Sequence, residues 1–266
     1  MRNWFTFGDL DSRDFGVYIS GSGTFDSPAR SYENIVVPGR DGDLLGISHR
    51  LQNARLQYPA FIYKDFSDQV AAFRTALLST IGYARLWDTY HRDEFRLAVF
   101  KGALDVSPTE KLDAGSFTLE FDVMPQRWLL EGEAPLVLWE YDGLTNEEDV
   151  ALATENDVEI DAATTQVTSA TLTNPSSMPS RPLIITTGPG TVTLGDQVVT
   201  VDVEAGVVVY IDCEMMDAYS MSGSQMVSEN ANVSFSGNDF PTLKAGDTGV
   251  TYTTAGLEIV PRWWRV

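Results

Sequence analysis

Short runs of Val, Ile, Thr and Leu follow one another at intervals of about ten residues from Thr164 onward. Residues that favour turns separate these runs, for example Asn174-Pro175, Gly188-Pro189-Gly190 and Gly195-Asp196. Strand-length runs separated by such turns are typical of an antiparallel β-sandwich. No helix of three turns fits this half of the chain, so we predict that it is all β.

The first half combines strands with one helix. Apolar residues recur there at three and four positions, which is the period of a helix; they are Phe66, Val70, Phe73, Leu77 and Ile81. This pattern predicts a helix over about 66–81. Asp65 or Ser67 is suited to cap its start, and Gly82 is suited to end it in a left-handed conformation.

Around the helix the apolar period changes to two. Phe117, Leu119, Phe121 and Val123 alternate with polar residues, as in a half-buried strand. Two further runs, Tyr83–Asp88 and Phe95–Phe100, flank a polar stretch and predict a hairpin. The first half is therefore mainly β with one helix covering a sheet.

The charge is divided unevenly along a chain of net charge −20. Residues 1–130 carry 17 acidic and 14 basic side chains, whereas residues 131–266 carry 21 acidic and 4 basic ones. This difference predicts two domains, 1–130 and 131–266, with a final strand at about 256–266. The acidic half repels phosphate backbones, so we expect no sequence-specific binding of nucleic acid.

Nine of the acidic residues lie between Glu140 and Asp161, with no basic residue among them. Like charges at this density favour a solvated surface segment. The segment lacks the regular spacing and mid-loop glycine of a calcium loop, so we expect no metal site there.

The residues that carry catalysis in other proteins are few and scattered. Cys213 is the single cysteine and falls in a strand-like run, where we expect a buried thiol. His49 and His91 have no second histidine nearby, and Ser22 lacks the setting of a nucleophile elbow. We find no phosphate loop or dinucleotide fingerprint, so we predict no catalytic residue, cofactor or metal, and no enzyme activity. The apolar run Val207–Ile211 is too short to cross a membrane, so we expect no insertion.

Two segments favour contacts with other groups. Pro38 fixes its own φ, and Gly39 and Gly42 permit a sharp reversal of the chain. Near the C-terminus, Trp263 and Trp264 are adjacent, and we expect both to pack against other groups.

At these residues the sequence resembles the distal tail protein family of long-tailed phages. In the first half the resemblance rests on Ser20–Pro28 and Val37–Leu45. In the second it rests on Asn174-Pro175, Pro182–Ile184, Tyr210–Glu214, Phe240–Gly246 and the closing Pro261–Arg265. It implies an N-terminal β-sandwich carrying a helix and a C-terminal galectin-like antiparallel β-sandwich.

The resemblance also implies a structural role in the virion, at the distal end of the tail, with assembly in the host cytoplasm. Six copies would form a ring that joins the tail tube protein to the tail-tip proteins and leaves a channel for DNA. A cyclic ring uses two different patches on each copy. We place the subunit interface at the reversal described above, formed by Val37, Pro38, Gly39, Arg40, Asp41, Gly42 and Asp43.

A carbohydrate-binding module that adheres to a host glycan is the alternative function, since galectin-like folds serve several roles. A sugar site needs an exposed aromatic ring in the second half. The candidates are Trp139, Tyr141, Tyr210, Tyr219 and Tyr252.

Overall fold

The computed structural model describes residues 2–21, 25, 27–63, 66–108, 113–139, 159–161, 166–237 and 239–266. The chain forms two compact units, Met1–Trp128 with Val266 and Leu129–Arg265. The predicted fold class is confirmed, because the described residues form antiparallel β-sheets and a single α-helix. Most of the acidic segment 140–161 lies outside the described residues.

The first unit is built on one large antiparallel sheet. The strands of this unit, of which β4 and β5 lie outside the large sheet, are β1 (Phe5–Phe7), β2 (Leu10–Asp11), β3 (Val17–Ile19), β4 (Arg30–Ile35), β5 (Leu44–Leu51), β6 (Ala54–Tyr63), β7 (Ala84–Asp88), β8 (Glu94–Phe100), β9 (Ser107–Pro108) and β10 (Ala114–Leu129). The order in the sheet is β2-β1-β7-β8-β10-β6-β3. A bridge between Asn3 and Ile19 brings the chain before β1 beside β3, so the sheet curls back on itself.

The core of this unit follows from the alternation along β10 and β6. Val123 pairs with Ala54 and Phe117 with Ala60, and the intervening register is continuous. Phe117, Leu119, Phe121 and Val123 are all buried, as the period of two predicts. Their side chains join the buried Phe5, Phe7 and Tyr58 in one cluster.

Helix α1 (Phe66–Ser79) packs on this core through Val70, Phe73 and Leu77. It ends two residues earlier than the predicted 66–81, and Ile81 is 94% exposed rather than part of the apolar face. The Ser79 hydroxyl donates to the carbonyl of Ala76 at 2.7 Å in the last turn. Gly82 has the predicted left-handed conformation, with φ +84°, but it lies beyond the helix end.

The start of the helix is capped from a distant part of the chain. The Phe66 N–H donates to Oδ1 of Asp113 at 3.0 Å, while the predicted cap Asp65 lies outside the described residues. We expect Asp113→Ala to lower the free energy of unfolding by about 1 kcal/mol, because the first-turn N–H loses its acceptor. Asp68→Ala in the first turn is the control. An equal loss in both variants, measured by urea denaturation, would contradict the cap.

The second unit begins at the end of β10 and contains a 3-10 helix (Leu130–Glu133). Its strands are β11 (Leu136–Trp139), β12 (Glu159–Asp161), β13 (Gln166–Asn174), β14 (Leu183–Thr187), β15 (Gly190–Leu194), β16 (Gln197–Val201), β17 (Val208–Asp212), β18 (Asp217–Ser222), β19 (Gln225–Ser228), β20 (Val233–Phe235), β21 (Gly246–Tyr252), β22 (Gly256–Val260) and β23 (Trp264–Arg265).

All of these strands except β23, which pairs with β10, form two sheets that enclose one core. The orders are β11-β22-β14-β17-β18-β19 and β12-β13-β21-β15-β16-β20. Ile184 and Ile211 from the first sheet and Val192 and Val250 from the second are fully buried in the same cluster. Residues of two sheets that meet in one core define a β-sandwich.

The predicted final strand over 256–266 is interrupted. It consists of β22 and β23, separated by Pro261, Arg262 and Trp263. Pro261 has no N–H for a ladder, and Arg262 adopts φ +56°, which no regular strand allows. Trp263 is thereby directed into the core, where it is 5% exposed, and Trp264 donates its Nε1 hydrogen to the carbonyl of Pro179 at 3.0 Å.

Cys213 follows β17 and is fully buried, as expected. Met215 is 74% exposed because the chain turns after Cys213. Burial raises the pKa of the Cys213 thiol to about 12, so very little reactive thiolate is present at neutral pH. No helix in the described part of the chain is long and apolar enough to span a membrane.

Candidate functional site

Strands β4 and β5 form a two-stranded sheet of their own. They pair antiparallel, with Tyr32 opposite Ile47 and Ile35 opposite Leu44, and within the described residues neither joins another sheet. We call residues 30–51 the hairpin arm. The Gln52 N–H donates to the carbonyl of Ala29 at 2.8 Å and closes the base of the arm.

The hairpin arm exposes apolar side chains on both of its faces. Ile35 and Leu44 lie on one face, and Tyr32 and Leu45 lie on the other, because the side chains of a strand alternate. All four are between 40% and 55% exposed, and Val36 next to them is 73% exposed. A surface hairpin that covers its own domain buries one face. Among its described side chains this hairpin buries neither face, which is typical of a segment that packs against another molecule.

The predicted interface residues Val37, Pro38, Gly39, Arg40, Asp41, Gly42 and Asp43 form the tip of the hairpin arm. The Arg40 N–H donates to the carbonyl of Val37 at 3.2 Å, and Gly39 and Gly42 have φ +81° and +80°. All of them except the half-buried Val37 are exposed. The structure thus places these residues together at an accessible tip, and their contact with another copy stays a prediction.

The apolar residues that flank the tip were missed by the sequence reasoning. The sequence does contain a signal for them. Tyr32 and Ile35 are three residues apart, so in a strand their side chains lie on opposite faces. A strand with apolar residues at odd and even positions is buried on both sides, either within its own domain or by a partner.

A buried polar cluster lies at the turn between β7 and β8. Asp88 accepts hydrogen bonds from the Tyr58 hydroxyl at 2.6 Å and from the N–H groups of Tyr90 and His91 at 2.8 and 3.0 Å. Burial, followed by the charge of Asp88, raises the pKa of Tyr58 well above its ordinary value. His91 is largely buried beside Asp88, with Nδ1 3.3 Å from Oδ1. These contacts hold the turn in place.

Among the described residues no group of three His, Cys, Asp or Glu side chains is arranged to hold a metal. Ser22 lies outside the described residues, and His49 belongs to β5, far along the chain from His91.

The aromatic residues considered for a sugar site are dispersed. Tyr210 and Tyr219 stack across β17 and β18, with ring centroids 5.3 Å apart and planes 8° from parallel. They lie on the sheet face opposite the core, because Val209 and Ile211 beside them are buried. Tyr252 is half-buried against the core, Trp139 lies in β11, and Tyr141 lies outside the described residues.

A buried ion pair stabilises the second unit beside this tyrosine pair. The Arg262 guanidinium donates to both oxygens of Asp212 at 2.7 and 3.0 Å. Burial alone would raise the pKa of Asp212, but the hydrogen bonds from Arg262 and from the Met215 N–H outweigh it and lower that pKa.

Because the pKa of Asp212 is lower in the folded chain, the resulting stability is present above the ordinary pKa of 3.8 and is lost as the pH falls below it. We expect Asp212→Asn to make the stability of the second unit less dependent on pH below about 4. Urea denaturation at several acidic pH values measures this. An unchanged acid dependence would contradict the role of the pair.

Comparisons with known proteins identify the fold. No protein-family model matches the chain, and no curated protein matches it in sequence. Among solved structures, the Dit protein of phage SPP1, described as a hub of the adsorption apparatus in phages that infect Gram-positive bacteria, is 11% identical and has a TM-score of 0.63. The alignment covers 97% of this chain and 98% of that one.

Chains of the phage p2 baseplate in its activated conformation are also similar. One, from the structure with Ca, has a TM-score of 0.51 and 11% identity over 97% of this chain and 98% of that chain. Another, from the structure with Sr, has a TM-score of 0.52 and 11% identity over 99% and 98%. The predicted resemblance to distal tail proteins is therefore confirmed at the level of the fold.

Proposed function

We propose that this chain is a structural protein of a phage virion and forms a hexameric ring at the distal end of the tail. The ring joins the tail tube protein to the tail-tip or baseplate proteins and leaves a channel for DNA. The observation that carries this proposal is the shared fold with the SPP1 Dit protein over 97% of the chain. No enzymatic step is part of this role.

The hairpin arm supports the ring. A cyclic assembly needs a patch on each copy that meets a different patch on the next copy. An arm with apolar side chains on both faces is suited to pack against a neighbour, and an isolated two-stranded hairpin is at best marginally stable in water. The predicted interface, residues 37–43, lies at its tip.

The charge distribution is consistent with this arrangement. The first 130 residues, with 17 acidic and 14 basic side chains, are nearly neutral and suited to pack against copies of themselves. The second half, with 21 acidic and 4 basic side chains, resists such packing and suits a domain outside the ring. Few clustered cations also suit a channel through which DNA moves without being held.

Electron microscopy of the purified chain, alone and mixed with the tail tube protein of the same phage, tests the proposed role. We expect six-fold rings with a central opening that attach to one end of assembled tubes. Rings of another symmetry, or rings that never attach to tubes, would overturn the hub assignment.

Carbohydrate binding is the second candidate, favoured by the stacked, half-buried pair Tyr210 and Tyr219. Aromatic faces beside polar side chains are common in sugar sites. A glycan array with the wild-type chain and with Tyr219→Ala tests it. Binding that is lost in the variant would support a glycan partner, and no binding by the wild-type chain would remove this candidate.

A further inference from the structure

An exposed aromatic cluster lies on the outer face of the first unit. Tyr18 stacks with both Phe61 and Tyr63, each at 5.9 Å between ring centroids. Arg2 lies over Tyr63 at 4.2 Å and over Tyr18 at 5.2 Å. Phe61 and Tyr63 point away from the core, since their neighbour Ile62 is buried. We call Tyr18, Phe61 and Tyr63 the aromatic ladder.

The aromatic ladder borders an open cavity of ≈ 610 Å³. Pro59 and Phe61 line it from β6, and Ser116 and Thr118 line it from β10. The face therefore offers apolar rings, short hydroxyl side chains and a concave surface next to one another. Exposed surfaces of this composition are typical of interaction sites.

We propose that the hairpin arm of one copy docks on the aromatic ladder of the next copy in the ring. This inference rests on the proposed ring and names the second of its two patches. Both patches are exposed in the single chain and belong to the first unit. Burying them against each other would remove the apolar side chains of both from water.

The positions of the two patches fit a head-to-tail contact. Strand β6 has ten residues and so is about 30 Å long at 3.3 Å per residue. The base of the hairpin arm is closed by Gln52, just before β6 begins at Ala54, whereas Phe61 and Tyr63 lie at the other end of this strand. Patches at opposite ends of one strand can face different neighbours in a ring.

A second exposed apolar patch lies near the base of the hairpin arm, at the end of β6 opposite to Phe61 and Tyr63. Leu78 and Ile81 are 58% and 94% exposed, and Tyr83 follows them. The Asn53 amide donates to the Tyr83 hydroxyl at 2.6 Å, which places Tyr83 beside the base of the hairpin arm. A copy that used this patch and the arm together would present both on the same side.

Both surfaces carry charged side chains, and the cavity beside the aromatic ladder includes Asp105. Over residues 30–51 the hairpin arm carries three acidic side chains, Glu33, Asp41 and Asp43, and three basic ones, Arg30, Arg40 and Arg50. Arg2 holds a positive charge over the rings of the aromatic ladder. The apolar faces of the arm would contact the rings while its acids approach Arg2.

Cross-linking between copies tests the pairing. Leu45→Cys and Tyr63→Cys chains are purified separately, mixed, concentrated to form the ring and treated with a short bis-maleimide. The native Cys213 is buried with a pKa of about 12, so the introduced thiols are the reactive ones. Each variant alone reports self-pairing, and Leu45→Cys mixed with Ile81→Cys is the matched control.

We expect covalent dimers in the Leu45→Cys and Tyr63→Cys mixture, at least tenfold more than in the control mixture. If the mixtures have the mass of a ring but yield no dimers, or yield them with Ile81→Cys instead, the pairing is wrong while the ring stands. If no variant and no wild-type sample assembles, the proposed ring itself fails.

Discussion

Replacing Val36 and Leu45 with aspartate is expected to turn the ring into folded monomers. Both side chains are more than half exposed in the single chain, so the substitutions remove little from its own core. Buried at an interface, each apolar side chain contributes about 1.5–3 kcal/mol. Loss of both weakens each subunit contact by at least about 100-fold, since 1.4 kcal/mol corresponds to a factor of ten.

The control for this variant carries aspartate at two other exposed apolar positions, Leu78 and Ile81. It changes charge and hydrophobicity equally but leaves the hairpin arm intact. Light scattering gives the assembled mass, and circular dichroism confirms that both variants are folded. A ring that persists in the Val36→Asp/Leu45→Asp variant, or that is lost equally in the control, would contradict an interface formed by the arm.

Trp263→Ala is expected to lower the free energy of unfolding of the second unit by about 3–5 kcal/mol. The side chain is 5% exposed and belongs to the core between the two sheets. Its backbone lies against Gly132, where an added Cβ would be 2.3 Å from the Trp263 nitrogen, so the surroundings have little freedom to close the cavity.

The adjacent Trp264 provides the matched control. It is half-buried, and its ring donates one hydrogen bond, to the carbonyl of Pro179. Trp264→Ala should therefore lower the free energy of unfolding by about 0.5–1.5 kcal/mol for the lost hydrogen bond, plus a packing loss smaller than that of Trp263→Ala. Urea denaturation followed by circular dichroism compares the two variants, and equal losses would show that the core does not depend on Trp263.

Local periodicity was sufficient to predict the helix and the central strand of the first unit. The spacing of Val70, Phe73 and Leu77 identified the helix, and the alternation from Phe117 to Val123 identified the central strand. In both, each residue contacts the core directly, so the pattern in the sequence repeats the pattern of burial.

Features that depend on distant contacts could not be predicted in this way. Asp113 caps a helix that begins 47 residues earlier in the chain. Arg262 adopts a left-handed backbone conformation and forms an ion pair with Asp212. This conformation interrupts a segment that otherwise has the composition of a strand. Both depend on tertiary contacts that local propensity does not encode.

The candidate interface was predicted only in part. Pro38, Gly39 and Gly42 predict the tip, because proline restricts φ and glycine permits a positive φ. The exposure of Tyr32 and Leu45 depends on the absence of a neighbouring strand in the described part of the unit, which only the sheet order shows.

The mass of the purified chain in solution tests the ring most directly. Light scattering after size exclusion, repeated over a range of concentrations, should give a species near six times 29.3 kDa or a mass that rises toward it. A mass of 29.3 kDa at every concentration would contradict the ring and would make carbohydrate binding the function to test next.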